Sequence, residues 1–210
     1  MWLFGKKKDK KTAQGNPMET RMAQQEAYFE IVKQIAPDDP EVLLALREGF
    51  SHPEAYADRH RERLQKEYWL EPEELSQCVR DPWWLMLDIL QRYGSVCVRD
   101  WKDEWQDFRF FLCQTKRAQQ EEIVIQESDL AFSENGDIRQ WCSRLDEKLA
   151  ERNLVVGNID TESDAYAVFF VPGKNWLRCS NLPAWFTTGF ILRKMLDSKQ
   201  KAWTKLSRLF

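Results

Sequence analysis

The sequence predicts an α+β protein, in which a helical N-terminal half precedes a small sheet of three to four short strands flanked by helices. Two observations lead to this prediction. Up to residue 94, apolar residues recur three and four positions apart, which is the spacing of a buried helix face. From residue 95 onward, short runs of β-branched and aromatic residues follow. Helices and strands do not alternate regularly, which argues against a parallel βαβ sheet.

The chain divides into three parts. Residues 1–17 are rich in lysine, end in Gly-Asn-Pro and are expected to be a flexible basic leader. Residues 18–197 are expected to form one domain, helical over 18–94 and mixed over 95–197, because 210 residues suit a single core. Residues 198–210 are expected to form a basic amphipathic C-terminal helix. Such a helix can dock on the protein's own core, lie on an anionic membrane or bind a partner.

Prolines and capping residues set the predicted helix boundaries of the first half. Asp39 followed by Pro40 is typical of an N-cap and a first helical turn. Pro72 and Pro82 open later helices in the same way, and the last of these is strongly apolar and ends at Gly94. The predicted helices cover 18–36, 40–50, 53–69, a segment that begins at Pro72, and 83–93.

Runs of β-branched and aromatic residues predict the strands of the second half. Residues 157–164 are rich in turn-forming residues and would join the last two strands as a hairpin. The predicted strands are Ser95–Arg99, Ile123–Ile125, Leu154–Val156 and Ala165–Val171.

Helices are also predicted between and after these strands. Asp100 is expected to cap a helix that runs to Thr115. Residues 137–153 have the apolar spacing of an amphipathic helix, and a final helical stretch is expected to begin near Asn181.

Charge is distributed unevenly, although the formal net charge is only -3. Residues 1–11 carry +4 and residues 193–210 carry +5, which leaves -12 for residues 12–192. An acidic body argues against binding of duplex nucleic acid, because that requires a basic face. It suits a partner with a basic surface instead.

The sequence predicts a cytoplasmic protein. No apolar run reaches the length of a membrane span, about 18 residues, and a short apolar start followed by lysines is unlike a secretory signal. Five cysteines, an odd number without Cys-x-x-Cys spacing, indicate reduced thiols. The basic ends leave contact with a membrane surface open.

The sequence contains no catalytic, cofactor or metal motif. His52 and His60 lie in a helix break and a charged helix, and we expect both to be surface residues. Zinc ligands at short spacing and glycine-rich phosphate loops are missing. A Ser-x-x-Lys match at Ser198 lacks its companion motifs. We therefore predict that the protein is not an enzyme and uses no cofactor.

Two groups of acidic residues form the candidate site. Residues 100–107 would place carboxylates on one helix face, and residues 158–164 would line them along an extended chain. We predict that these carboxylates meet a basic partner. The alternatives are a capped helix with a polar turn, or a site for calcium or magnesium. The residues predicted to contact the partner are Asp100, Asp103, Glu104, Asp160, Glu162 and Asp164.

The chain contains ten tryptophans, which is a high number for 210 residues. We expect most of them in the core, because their rings bury a large apolar area. One or two are expected at a partner interface, where tryptophan is enriched.

Two short motifs stand out in the second half: Val96-Cys97-Val98 followed by Asp100-Trp101-Lys102-Asp103, and Gly157-Asn158-Ile159-Asp160 followed by Asp164-Ala165-Tyr166. On these motifs, roughly residues 80–175 resemble an uncharacterised family of bacterial cytosolic domains. The resemblance implies no assigned enzymatic activity. By analogy, compact acidic α+β proteins of this kind often act as immunity proteins for bacterial toxins.

The functional expectation is therefore a bacterial immunity protein that binds and neutralises a cognate toxin with a basic surface, by steric and electrostatic fit. Two other classes remain open: an enzyme or metal-binding protein that uses Asp100 and Asp160, and a peripheral membrane protein held by its basic ends. A pocket that gathers the carboxylates would favour the enzyme. An open acidic surface with exposed aromatic residues would favour the binding protein.

Overall fold

The computed structural model describes residues 17–126, 136–160 and 164–173. Several predictions concern residues outside these ranges. They are the leader up to residue 16, the partner contact Glu162, the helix near Asn181 and the C-terminal helix 198–210.

The protein is α+β, as predicted, with five helices before the first strand and a three-stranded antiparallel sheet. Each of the first five helices begins at a proline, because proline has its φ angle set for a helix and lacks the N–H that a first turn leaves unpaired. The helices are α1 Pro17–Ile35, α2 Pro40–Ser51, α3 Pro53–Tyr68, α4 Pro72–Cys78, α5 Pro82–Arg92, α6 Trp105–Cys113, α7 Lys116–Gln120 and α8 Ile138–Leu149. The strands are β1 Cys97–Asp100, β2 Leu154–Asp160 and β3 Ala165–Pro172.

The sheet has the strand order β1-β3-β2, so the last strand along the chain lies in the centre. The predicted hairpin is confirmed, because β2 and β3 pair antiparallel from Leu154↔Pro172 to Asp160↔Tyr166. This register extends β2 four residues beyond the predicted end at Val156.

The sheet separates two hydrophobic cores. One face of β3, with Ala167, Phe169 and Val171, packs against the helical half from α1 to α5. The other face, with Val168 and Phe170, packs against α6, α7 and α8. Because both faces of the central strand are covered, its inner residues are all buried, as expected for a strand with helices on both sides.

Gly157 lets the ring of Phe169 lie across the neighbouring strand. The two residues are directly paired in the β2–β3 register. A Cβ atom on residue 157 would lie 2.3 Å from the Phe169 ring, closer than any real contact. The sequence therefore needs glycine here because of packing.

Two predictions about the second half are wrong. Ile123–Ile125 is not a strand: Ile123 and Ile125 are buried in the core beside α6 and α8, and the segment does not join the sheet. Its residues are alternately buried and exposed, which gives the sequence the pattern of a strand although the segment pairs with no strand of the sheet. Asp100 is not a helix cap, because α6 begins at Trp105 with Glu104 as its N-cap residue.

A buried carboxylate joins α3 to α5. The Asp88 side chain is fully inaccessible and accepts hydrogen bonds from Tyr56 Oη at 2.5 Å and Tyr68 Oη at 3.0 Å. The Arg63 guanidinium donates to both of its oxygens at 2.9 and 2.7 Å. Burial, followed by the nearby Asp88 charge, raises the pKa of Tyr56 and of Tyr68 well above the usual tyrosine value. All these partners come from α3, so the network fixes the packing of that helix on α5.

Candidate functional site

The two predicted acidic groups meet at one end of the sheet. β1 and β2 both end here and β3 begins here, since Asp100 pairs with Ala165 and Asp160 pairs with Tyr166. The backbone N–H of Trp101 donates to the carbonyl oxygen of Asp164 at 2.8 Å. Residues some 60 positions apart in the sequence are thereby neighbours on one surface.

The predicted site residues occupy different environments within this end of the sheet. The side chains of Asp100, Glu104 and Asp164 are exposed to solvent. Asp103 is only 11% exposed because its carboxylate forms an ion pair with Arg99. Asp160 is the last residue of β2.

Backbone geometry also corrects the predicted arrangement of the first group. Asp100, Asp103 and Glu104 precede α6, and only Asp107 lies within it, so these residues do not share a helix face. Asp100 ends β1, and its Oδ1 accepts from the N–H of Lys102 at 2.8 Å, an Asx turn that redirects the chain into α6.

Exposed aromatic side chains occur in the segment that follows β1 and carries the first acidic group. Trp101 is 47% exposed, and Lys102 Nζ lies 5.0 Å from the centre of its ring. On α6, Phe110 and Phe111 are 58% and 41% exposed and contact each other edge to face. The guanidinium of Arg99 lies 4.0 Å from the centre of the Phe111 ring and so connects the phenylalanines to β1.

We call this region the acidic–aromatic surface. Large exposed apolar groups next to charged groups are typical of protein interaction surfaces. Sequence reasoning missed its aromatic part, because it predicted only the carboxylates of this segment as partner contacts. The doublet Phe110-Phe111 is a signal that could have shown it, since both rings cannot share the stripe of Phe108 and Leu112. The surface consists of Asp100, Trp101, Glu104, Asp107, Phe110, Phe111 and Asp164.

Asn158 was predicted to line an exposed polar chain, but it is buried. It is 2% exposed and lies in β2 on the face that carries Val156 and Val168. Within the described ranges, neither its amide nitrogen nor its amide oxygen has a hydrogen-bond partner, and the same holds for Trp105 Nε1 in the same core. Such a group lowers stability, because burial removes its hydrogen bonds to water.

The predicted carboxylates do not line the cleft that the described residues form just before β1. This cleft is shallow and open, with about 20 Å³ of cavity space, and Asp39, Ser95 and Lys116 form part of its lining. The Lys116 ammonium in it is paired with Asp39 at 2.6 Å. In the part of the chain that the structure describes, no three His, Cys, Asp or Glu side chains are grouped to hold a metal ion.

The two histidines differ in environment. His52 is exposed at the N-cap of α3, in agreement with the surface prediction. His60 is half-buried, with Nε2 2.9 Å from Arg92 Nη1 and its ring against Tyr56. Burial, followed by the Arg92 and Arg63 charges, lowers the pKa of His60. Its environment therefore favours the neutral imidazole.

Comparison with known proteins identifies a family without an assigned role. Residues 27–182 match a family model described as a domain of unknown function, DUF6630. The match confirms the expectation of an uncharacterised family and includes most of the helical half, so it is wider than the predicted range 80–175. No curated protein matches the chain, and no solved structure matches it. Among the described helices, none is long and apolar enough to cross a membrane.

Proposed function

The chain belongs to the DUF6630 family, and because that family has no assigned activity, we propose a function from the surface itself. We propose that the protein is a non-enzymatic binding protein that holds a basic protein partner against the acidic–aromatic surface. The observation that supports this most directly is the hydrogen bond from Trp101 to Asp164, which joins both acidic groups and an exposed indole in one place.

Two kinds of contact would act together at this surface. The exposed carboxylates of Asp100, Glu104 and Asp164 attract a basic partner and orient it during approach. Trp101, Phe110 and Phe111 then supply apolar area that the partner can bury. Burying an aromatic side chain costs little conformational entropy. Binding of this kind needs no bond to be made or broken.

The more specific form of the proposal is an immunity protein of the bacterial cytoplasm. Its partner would be a cognate toxin with a basic active surface, such as a nuclease, which is neutralised when that surface is covered. The acidic body, with -12 over residues 12–192, supports a basic partner of this kind.

Co-expression with the product of the neighbouring open reading frame tests the immunity proposal. We expect that product to arrest growth when expressed alone and this chain to restore growth. A site variant with Asp100, Glu104 and Asp164 changed to lysine is expected to lose the rescue. A control variant with Glu41, Glu62 and Glu73 changed to lysine makes the same change in net charge at exposed positions outside the surface. It is expected to rescue fully.

Two outcomes would contradict the proposal. If the neighbouring product arrests no growth, the immunity form is wrong. If the site variant rescues as well as the control while both melt near the wild type, the acidic–aromatic surface is not the interface.

A further inference from the structure

The outer edge of β1 presents backbone groups that have no partner among the described residues. β1 pairs with β3 on one side only, because it is the first strand in the order β1-β3-β2. Trp101 N–H points to β3, where it donates to Asp164. Along an antiparallel pair, the backbone N–H and C=O groups of successive residues point alternately toward and away from the partner strand. Arg99 therefore also bonds to β3, whereas the N–H and C=O groups of Val98 and Asp100 point away from it.

On the other edge of the sheet, an outward backbone group of β2 has a side-chain partner, which is a difference from β1. Asp146 of α8 accepts from the outward N–H of Val156 in β2 at 2.6 Å. No such contact reaches Val98 in the ranges that the structure describes. The Val98 side chain is only partly buried, and Asp100 beside it is exposed.

We propose that β1 accepts an extended segment of the partner as an additional strand, and that this segment carries lysine or arginine opposite Asp100. The proposal rests on the proposed function and gives it a binding mode. Pairing along an edge strand uses the N–H and C=O of Val98 and the N–H of Asp100. The fourth group, the C=O of Asp100, already accepts from the N–H of Asp103 at 3.1 Å.

Charge complementarity selects a basic segment. Asp100 lies on the edge strand itself, and Glu104 and Asp107 are exposed in the segment that follows it along the chain. Short edge strands with a charged residue resist uncontrolled pairing, so a segment that binds must supply the opposite charge. A segment of neutral or acidic composition, or β1 of a second copy with its own Asp100, lacks this charge.

The probe is a synthetic peptide taken from a random dodecapeptide library. The library is selected on the immobilised wild-type protein and counter-selected on the variant with Asp100, Glu104 and Asp164 changed to lysine. We expect enriched sequences with basic residues at alternate positions. Failure to enrich basic peptides would contradict the proposed function itself.

Amide hydrogen exchange of the full chain then tests the binding mode. In the free protein, we expect the N–H groups of Val98 and Asp100 to exchange fast and those of Arg99 and Trp101 to exchange slowly. Saturation with the peptide should slow the amide hydrogen exchange of Val98 and Asp100 at least tenfold. A peptide that binds without slowing them would overturn strand addition and leave the proposed function standing. Protection of Val98 in the free protein that grows with protein concentration would also overturn it, in favour of pairing between two copies.

A proline substitution provides a second test. Val98→Pro removes an outward N–H but no bond to β3, and proline is compatible with an edge strand, so the variant should fold and bind the peptide at least tenfold more weakly. Val98→Ala keeps the N–H and should bind like the wild type, whereas Arg99→Pro removes a bond to β3 and should unfold the sheet. Wild-type affinity in a folded Val98→Pro variant would overturn the proposal. If that variant does not fold, the amide hydrogen exchange of Val98 and Asp100 in the wild-type protein tests the proposal instead.

Discussion

Trp101 and Asp164 are joined by a 2.8 Å hydrogen bond from the backbone N–H of the tryptophan to the carbonyl oxygen of the aspartate. The bond continues the β1–β3 pairing by one position beyond Asp100↔Ala165. It holds an exposed indole next to carboxylates that come from two distant parts of the sequence. The proposed binding surface is therefore a consequence of sheet register, and changes to the sheet should affect it.

Loss of the buried carboxylate should be strongly destabilising. Asp88→Ala leaves the Arg63 guanidinium and two tyrosine hydroxyls without their common acceptor. Breaking a buried ion pair from one side costs about 3–5 kcal/mol, so we expect a loss of that size in the free energy of unfolding, measured by urea denaturation. Glu67→Ala serves as the control, because Glu67 also pairs with Arg63 at 2.7 Å but lies nearer the surface. Equal effects of the two changes would contradict the role given to Asp88.

Replacing Asn158 should stabilise the protein. Its amide is buried without a partner among the described residues, so Asn158→Leu replaces a desolvated polar group with an apolar one that has the same number of side-chain heavy atoms. We expect the free energy of unfolding to rise by about 1 kcal/mol, with a higher thermal midpoint. Asn158→Asp, which buries a charge in the same space, should have the opposite effect. A destabilised Asn158→Leu variant would show that the amide has a hydrogen-bond partner.

The contact between Gly157 and Phe169 can be tested with a double-mutant cycle. Gly157→Ala places a Cβ against the Phe169 ring, and overpacking of this kind costs about 1–3 kcal/mol. Phe169→Leu removes the ring, so the alanine should cost much less in that background. Chemical denaturation of the four proteins gives the coupling energy. Additive effects would mean that the clash is relieved elsewhere.

Cys97 should resist alkylation in the native protein. Burial raises the pKa of Cys97 to about 12, so the reactive thiolate is scarce at pH 8.5. Iodoacetamide labelling followed by mass spectrometry should modify Cys78, whose thiol is less desolvated, much faster than Cys97. In the unfolded chain the two should react alike. Fast labelling of Cys97 in the folded protein would contradict its burial.

The same pKa shift predicts a dependence of stability on pH. Above pH 9, the unfolded state loses the Cys97 proton while the folded state keeps it until about pH 12. The folded state then binds more protons, so this thiol makes stability fall as pH rises through that window. Cys97→Ala should have a shallower decrease over pH 9–11 than the wild type in urea denaturation. Identical slopes would contradict the shift.

Local sequence signals predicted the helical half and the hairpin well. Pro40, Pro72 and Pro82 each begin a helix, as expected from the geometry of proline at a first turn. The β-branched and aromatic run from Ala165 predicted β3, the central strand. These features depend on a few neighbouring residues, so a single sequence contains them.

Features that depend on distant residues could not be predicted in the same way. Asp88 bonds to residues 20 to 32 positions away, and nothing near it in the sequence indicates an acceptor buried among tyrosines. The exposure of Trp101 follows from the register of β1 on β3, which no local pattern specifies. For the same reason, the acidic groups were found in the sequence but their meeting at one end of the sheet was not.

Trp69 and Trp101, two exposed tryptophans in the described part of the chain, allow the most direct test of the proposed surface. Trp101 is part of it, whereas Trp69 is 89% exposed at the end of α3 and outside it. In one binding assay against the selected basic peptide or the neutralised toxin, Trp101→Ala should weaken the affinity at least tenfold, since aromatic anchors dominate interfaces. Trp69→Ala should leave the affinity unchanged. Weaker binding by Trp69→Ala with full binding by a folded Trp101→Ala variant would contradict the acidic–aromatic surface as the site of partner binding.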